Sequence, residues 1–206
     1  MKQKAYLNSA YALETMDQTM DLYRDWAETY DDEISANGYA SPLRTAQALI
    51  CCGAKPGLPV LDIGCGSGVS GEFLRQHGFT DMHGCDFSEA MLALAEQKQI
   101  YTKLHRSEPQ NPFDFVSVPY ETAAAIGVMA PGHAGPDLIS TAIQLLTVGG
   151  LFGFSMNDHT LENRGYMDEI DRLVKNKEIR IRWSEYGDHL PGINLQSLIV
   201  VLERLC

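Results

Sequence analysis

The sequence lacks any long apolar run. Its longest purely aliphatic stretch, residues 198–202, falls far short of the ~20 residues that a membrane-spanning helix requires. Lys2 and Lys4 are followed by no continuous apolar segment, so a signal peptide is not expected. Positive charge is also scarce. Against 27 acidic residues stand 16 basic ones, a formal net charge of −11. Such a field repels a phosphate backbone, and Arg180-Ile181-Arg182 is too short for a basic patch, which argues against nucleic acid as partner. Cys51, Cys52, Cys65, Cys85 and Cys206 form no CxxC pair, and an odd count at irregular spacing is no disulfide framework. A reducing cytoplasm is the expected compartment. His77, His83, His105 and His133 have no ligand spacing with Cys, Asp or Glu, so no metal site is expected. Ser67 and Ser155 lack the surroundings of a nucleophile elbow, which argues against a hydrolase.

What remains is a chain with enough apolar residues for one good core. Met20, Tyr23, Ala27, Tyr30 and Ile34 recur at helical spacing, predicting a helix over residues 17–36 closed by Asn37-Gly38. Ser41 and Pro42 read as N-cap and first residue of a second helix through Cys52. Lys55-Pro56-Gly57 is a breaker, and it divides an N-terminal helical cap, residues 1–55, from a core, residues 56–206. The core alternates. Strands are expected at residues 60–63, 82–85, 113–118, 151–156, 178–183 and 198–202, and helices at 68–77, 88–98, 120–129, 137–147 and 165–175. Such alternation predicts an α/β fold, a Rossmann-like doubly wound sheet that is mostly parallel. No helix separates the last two strands, so they are expected to pair antiparallel at or near the sheet edge.

The feature richest in chemistry is Val60-Leu61-Asp62-Ile63-Gly64-Cys65-Gly66-Ser67-Gly68, a strand running into Gly-x-Gly-x-Gly and then a helix. Glycines permit the sharp turn and the close approach of a ligand to the main chain. Asp86 ends the next strand, where a carboxylate accepts hydrogen bonds from ribose hydroxyls. Gly66-x-Gly68-x-x-Gly71 also satisfies the dinucleotide fingerprint, so a nicotinamide cofactor is the rival reading. Asp62 separates the two. A carboxylate near the loop repels a pyrophosphate, whereas the ammonium and sulfonium groups of S-adenosylmethionine tolerate or favour it.

Here the sequence resembles a known family. Val60 to Gly68 looks like motif I of the class I S-adenosylmethionine-dependent methyltransferases, and Gly84-Cys85-Asp86-Phe87-Ser88-Glu89-Ala90-Met91-Leu92 looks like their second motif. Thr147-Val148-Gly149-Gly150-Leu151-Phe152 resembles their Pro-Gly-Gly turn, with Val148 in place of the usual Pro. Tyr23-Arg24-Asp25-Trp26-Ala27-Glu28-Thr29-Tyr30-Asp31 is similar to a segment preceding motif I in many members, notably the Williams–Beuren-region methyltransferase-like group. The resemblance implies that Asp62, Gly64 and Gly66 line the methionine end of the cofactor, and Cys65 of the same loop is a further cofactor-binding candidate. It implies further that Asp86 holds the ribose hydroxyls and that Phe87, with Met91 in the same motif, packs near adenine. Trp26 and Tyr30 would close over the cofactor, or alternatively serve as helix core. Arg44 would reach the cofactor carboxylate or lie on a solvated face, and Ser107 or Glu108 would serve the adenine amino group.

Methyl transfer is an in-line displacement with a good leaving group, so positioning and water exclusion carry much of the catalysis. A base is needed only for an acceptor that arrives protonated. Acceptor groups are expected beyond the strand carboxyl ends: Tyr120 and Glu121, Asn157 to His159, and residues 183–189. His159 and Tyr120 are the candidate catalytic residues. The expected function is S-adenosylmethionine-dependent methyl transfer to a small or medium-sized acceptor. The alternatives are a NAD(P)-dependent oxidoreductase and a non-catalytic cofactor-binding protein.

Overall fold

In the computed structural model, which describes Tyr6 and residues 16–27, 29–130 and 133–206, seven strands form one sheet in the order β3-β2-β1-β4-β5-β7-β6. In chain order the elements are α1 (Met16–Trp26), α2 (Tyr30–Ala36), α3 (Ser41–Cys51), β1 (Val60–Ile63), α4 (Val69–Gln76), β2 (Met82–Asp86), α5 (Glu89–Gln97) and β3 (Lys103–Arg106). Then come β4 (Tyr120–Met129), α6 (Asp137–Gln144), β5 (Leu146–Asn157), α7 (Asp158–Glu162), α8 (Gly165–Lys175), β6 (Ile179–Leu190) and β7 (Leu195–Arg204). The first five strands are parallel, and β7 inserts antiparallel between β5 and β6. The mostly parallel, doubly wound sheet with an antiparallel last strand is therefore present. Strand order reverses between β1 and β4, which opens a crevice outside the carboxyl ends of those two strands.

Both faces of the sheet are covered. Leu61, Ile63, Ala123, Ala125, Phe152 and Phe154 pack toward Ile139 and Ile143 of α6 and Tyr166 and Ile170 of α8. Val60, Ala124, Ile126, Leu151 and Val201 pack on the other face with Leu49 of α3 and Leu74 of α4. A smaller cluster joins Trp26 of α1 and Ile34 of α2 to Leu190 and Leu195.

Several expectations are corrected. Residues 120–129, read as a helix from their alanines, are the central strand β4. Alanine favours helices locally, but Ala123, Ala124 and Ala125 are fully buried between helical layers, and tertiary packing overrides propensity. Residues 113–118 are not a strand. Phe113, Phe115 and Val116 instead pack on the core from a loop, with Phe115 stacked on His105 at 4.0 Å. The strand of that region is β3, whose Lys103-Leu104-His105-Arg106 carries no apolar alternation because it is a half-exposed edge. The helix expected over 17–36 is two helices, the chain turning back where Thr29 N–H donates to Trp26 O at 3.0 Å. The N-cap of α3 is Ala40 rather than Ser41. Ser41 Oγ is drawn elsewhere, to His189 Nδ1 at 2.7 Å and Ser197 Oγ at 2.9 Å.

Candidate functional site

Strand β1 is buried on both faces, so it delivers the glycine loop to the centre of the sheet's carboxyl edge. Gly64, Gly66 and Gly68 all have positive φ, at 64°, 52° and 91°. That lets the chain reverse direction at once into α4. The loop is fixed by its own amides. Cys65 N–H donates to Cys85 O at 3.0 Å, and Gly68 N–H to Cys65 O at 2.8 Å. Gly66 N–H donates to Asp86 Oδ2 at 3.0 Å, and Ser88 N–H to Asp86 Oδ1 at 2.8 Å. The Asp86 carboxylate keeps acceptor capacity beyond these amides, and the residue lines the cavity. Burial pushes the Asp86 carboxyl upward, against the pull of the Ser88, Gly66 and Phe87 amides.

The cavity, of about 290 Å³, lies over this loop at the reversal of strand order. Its floor is Ile63 to Gly66 after β1 and Cys85 to Ser88 after β2. One side is the end of β4 with the start of α6, and Tyr30 from α2 and Tyr39 from the turn between α2 and α3 also line it. The two thiols here are inert. Burial pushes Cys85 up to about 12 and Cys65 well above its ordinary value, so both stay protonated.

The expected cofactor residues divide. Tyr30, Gly64, Cys65, Gly66, Asp86, Phe87, Met91 and Ser107 come together on the cavity wall. Trp26 does not reach it: its indole is 1% exposed, edge-on to Tyr30 at 4.7 Å, and donates to Glu33 Oε2 at 2.8 Å. Tyr23, from the same motif, has a side chain outside the described residues. Arg44 is turned the other way, donating to Asp188 O and Glu185 O at 2.8 Å and so tying α3 to β6. Glu108 lies off the cavity, 3.9 Å from Arg106.

Asp62 lies beneath the loop rather than facing the cavity. Fully buried, it accepts from Ser70 Oγ and Tyr101 Oη at 2.7 Å through Oδ2, while Oδ1 has no partner among the described residues. Burial pushes its carboxyl up to about 6, outweighing those two hydrogen bonds.

The acceptor candidates are not brought to the cavity. Tyr120 is the first residue of β4, not a residue beyond a strand's carboxyl end, and its hydroxyl pairs with His83 Nδ1 at 2.7 Å. His159 sits in the short helix α7, away from the lining. Asn157 caps that helix through Thr160 N–H, and Asp158 accepts from Tyr186 Oη at 2.6 Å. His189 is buried against Ser41, and burial pushes its imidazole down to about 4. In their place the wall holds Tyr39, Val128, His133, Asp137, Leu138 and Thr141. Once β4 is seen as a strand, the rule that ligands gather at strand carboxyl ends points to residues 127–141. The helix reading had hidden that end.

Comparison with known proteins agrees with this geometry. Residues 60–150 match the family model described as a methyltransferase domain. Human methyltransferase-like protein 27 is 24% identical over 185 residues, covering 87% of this chain and 74% of that protein. The crystal structure of the [4+2]-cyclase SpnF superposes with a TM-score of 0.68 at 11% identity, covering 94% of this chain and 98% of its own. Magnesium protoporphyrin IX methyltransferase from Synechocystis PCC 6803, solved with bound SAM, gives 0.56 at 20% identity, covering 91% and 83%. The two solved structures show a shared fold.

Proposed function

We propose that this chain, a class I S-adenosylmethionine-dependent methyltransferase, transfers the methyl group to a small or medium-sized acceptor held between the glycine loop and the start of α6. The observation that carries the reading is the seat of Asp86. Its carboxylate covers the Gly66 amide, and the Cys65 and Gly68 amides are engaged within the chain. A pyrophosphate needs free N–H groups over such a loop and would meet a carboxylate instead, which weighs against the nicotinamide reading. Ribose hydroxyls are donors, and the open acceptor positions of Asp86 suit them.

The residues present fit the cofactor. A Cβ at Gly66 would meet nothing within 4 Å, so the space above that residue is open for a ligand. Asp86 would take the ribose hydroxyls, Phe87 and Met91 the base, and Ser107 its polar edge. Tyr30 would cover the ligand from α2. Bound S-adenosylmethionine supplies an electrophilic methyl group on a positively charged sulfur. The chain's own contribution is to hold the acceptor in line and to keep water out with its apolar walls. His133, on the loop after β4, is the imidazole among the described lining residues, so it is the candidate base for an acceptor that arrives protonated. The lining gives neither His159 nor Tyr120 that place.

Calorimetry with S-adenosylmethionine, S-adenosylhomocysteine and NAD tests the reading. The first two should bind and NAD should not; binding of NAD alone would overturn it. The fold also carries the name of a cyclase in SpnF, so a turnover assay over a broad acceptor panel completes the test. Tight binding with no methyl transfer would favour the non-catalytic alternative.

A further inference from the structure

The acceptor side of the cavity is walled by Val128, His133, Ala134, Asp137, Leu138 and Thr141, a surface that mixes apolar side chains with a few polar ones. Ionisable groups on the wall are unevenly distributed in sign. Asp86 and Asp137 are its carboxylates, and no lysine or arginine is among the described lining residues. Cations close by are engaged elsewhere. Lys98 bridges Asp31 and Glu72 at 2.7 Å each, Arg106 pairs with Glu89 at 2.6 Å, and Arg44 is bound to the carbonyls of β6. Helix N-termini often attract anions, but at α6 the first amides are occupied. Leu138 N–H donates to Gly135 O and Ile139 N–H to Pro136 O, both at 3.1 Å, and the first residue of the helix is itself Asp137. An acid or phosphate ester entering here would meet two carboxylates with no lysine or arginine among the described lining residues to offset them, only hydroxyls and the His133 imidazole.

We propose that the acceptor is an amine, whose positive charge on entry is matched by Asp137 at the rim of α6, and that carboxylate and phosphate acceptors are refused. The inference rests on the methyl-transfer reading above. Asp86 is taken by ribose in that reading, which leaves Asp137 as the carboxylate facing the acceptor. The reaction balances without a further reactant. The entering ammonium gives a proton to His133, the candidate base of the lining, which passes it to solvent, and the freed nitrogen lone pair then forms a bond to the methyl carbon. The carbon–sulfur bond breaks with its pair passing to sulfur. The positive charge thus moves from sulfonium to the methylated ammonium, where Asp137 again balances it.

Methyl transfer is measured with radiolabelled S-adenosylmethionine against three panels: aliphatic and aromatic amines, carboxylic acids and phosphate esters, and neutral phenols and alcohols. S-adenosylhomocysteine affinity is measured alongside. Amines are the panel expected to be methylated, and Asp137→Asn should raise KM for the best amine about ten-fold with little change in kcat. That variant should leave S-adenosylhomocysteine affinity and the circular dichroism spectrum unchanged. Asp137→Lys should abolish amine turnover. Preference for acids or alcohols, an unchanged KM in Asp137→Asn, or no amine turnover by protein that binds S-adenosylhomocysteine would each overturn the proposal. Loss of S-adenosylhomocysteine binding by the parent protein would instead count against the cofactor reading.

Discussion

Asp31 of α2 accepts a hydrogen bond from the Ser67 hydroxyl of the glycine loop at 2.5 Å, joining the N-terminal helices to the middle of the candidate cofactor site. Its second oxygen lies 2.7 Å from Lys98 Nζ, which also binds Glu72 of α4 at 2.7 Å. Lys98 is 18% exposed at its side chain, so this ion pair is shielded better than a surface one. The neighbouring Tyr30 lines the cavity, so the Asp31 contact fixes the position of a wall as well as a loop. Replacing Asp31 with Ala removes an acceptor from two donors, a change on the order of 1 kcal/mol. S-adenosylhomocysteine affinity should fall about five-fold. Equal affinity in the two proteins, measured by calorimetry, would detach α2 from cofactor binding.

Asp86 does two jobs, and a substitution should disturb both. Asp86→Ala leaves the Gly66 and Ser88 amides without their acceptor, which should destabilise the fold by about 1–3 kcal/mol. The same change removes the ribose acceptor, so S-adenosylhomocysteine affinity should fall at least ten-fold. Thermal unfolding and calorimetry on the same samples separate the two effects. A protein that loses stability but keeps its affinity would refute the ribose assignment.

The glycine loop and Asp86 were legible because their requirement is local. A strand that must reverse into a helix needs positive φ, and glycine supplies it wherever the rest of the chain goes. The central strand β4 was not legible for the opposite reason. A strand buried on both faces shows no period-2 pattern, and three successive alanines favour a helix until helices pack on both sides of them. That misreading, together with residues 113–118 taken as the strand, put one pair of expected acceptor residues at Tyr120 and Glu121, the wrong end of β4. Asp62 was singled out in the sequence but placed against the ligand. Alternation puts Asp62 on the side of Val60, facing α4 and Ser70, while Leu61 and Ile63 face the other core. Tyr39 and Asp137 carry no local signature at all. Topology alone brings them to one cavity from positions nearly a hundred residues apart in the sequence.

Asp62 should leave a mark on stability below neutral pH. Its carboxyl is raised from 3.8 to about 6 in the folded chain. The folded state therefore holds the proton more tightly than the unfolded state. This contribution is fully present below pH about 4, and it is lost as the pH rises through about 6. The size is on the order of 3 kcal/mol at full burial. Asp62→Asn keeps a carbonyl oxygen for Ser70 and Tyr101 and never ionises. The variant should be at least as stable as the parent at pH 7.5 and should lack that loss between pH 4 and 6. Urea unfolding at pH 4.5, 6 and 7.5 tests this; parallel pH dependences in the two proteins would show that Asp62 is not the titrating group.

Two glycines of the same loop should fail in different ways when replaced by alanine. At Gly64, φ is 64° and a Cβ would stand 2.5 Å from Val128 Cγ2, inside the core that closes the end of β4. Strain and collision act together there, and Gly64→Ala should lose several kcal/mol of stability. At Gly66, φ is 52° but a Cβ would meet nothing within 4 Å. Only the backbone term remains, about 1–2 kcal/mol, so Gly66→Ala should still fold. Its methyl group would project into the space assigned to the ligand, and S-adenosylhomocysteine affinity should fall at least ten-fold. Melting temperature and affinity, measured for both variants, should therefore order them oppositely: Gly64→Ala worse in stability, and Gly66→Ala stable but poor in binding. If Gly66→Ala binds as the parent does, the open space above it is not the cofactor site, and the assignment of the loop falls with it.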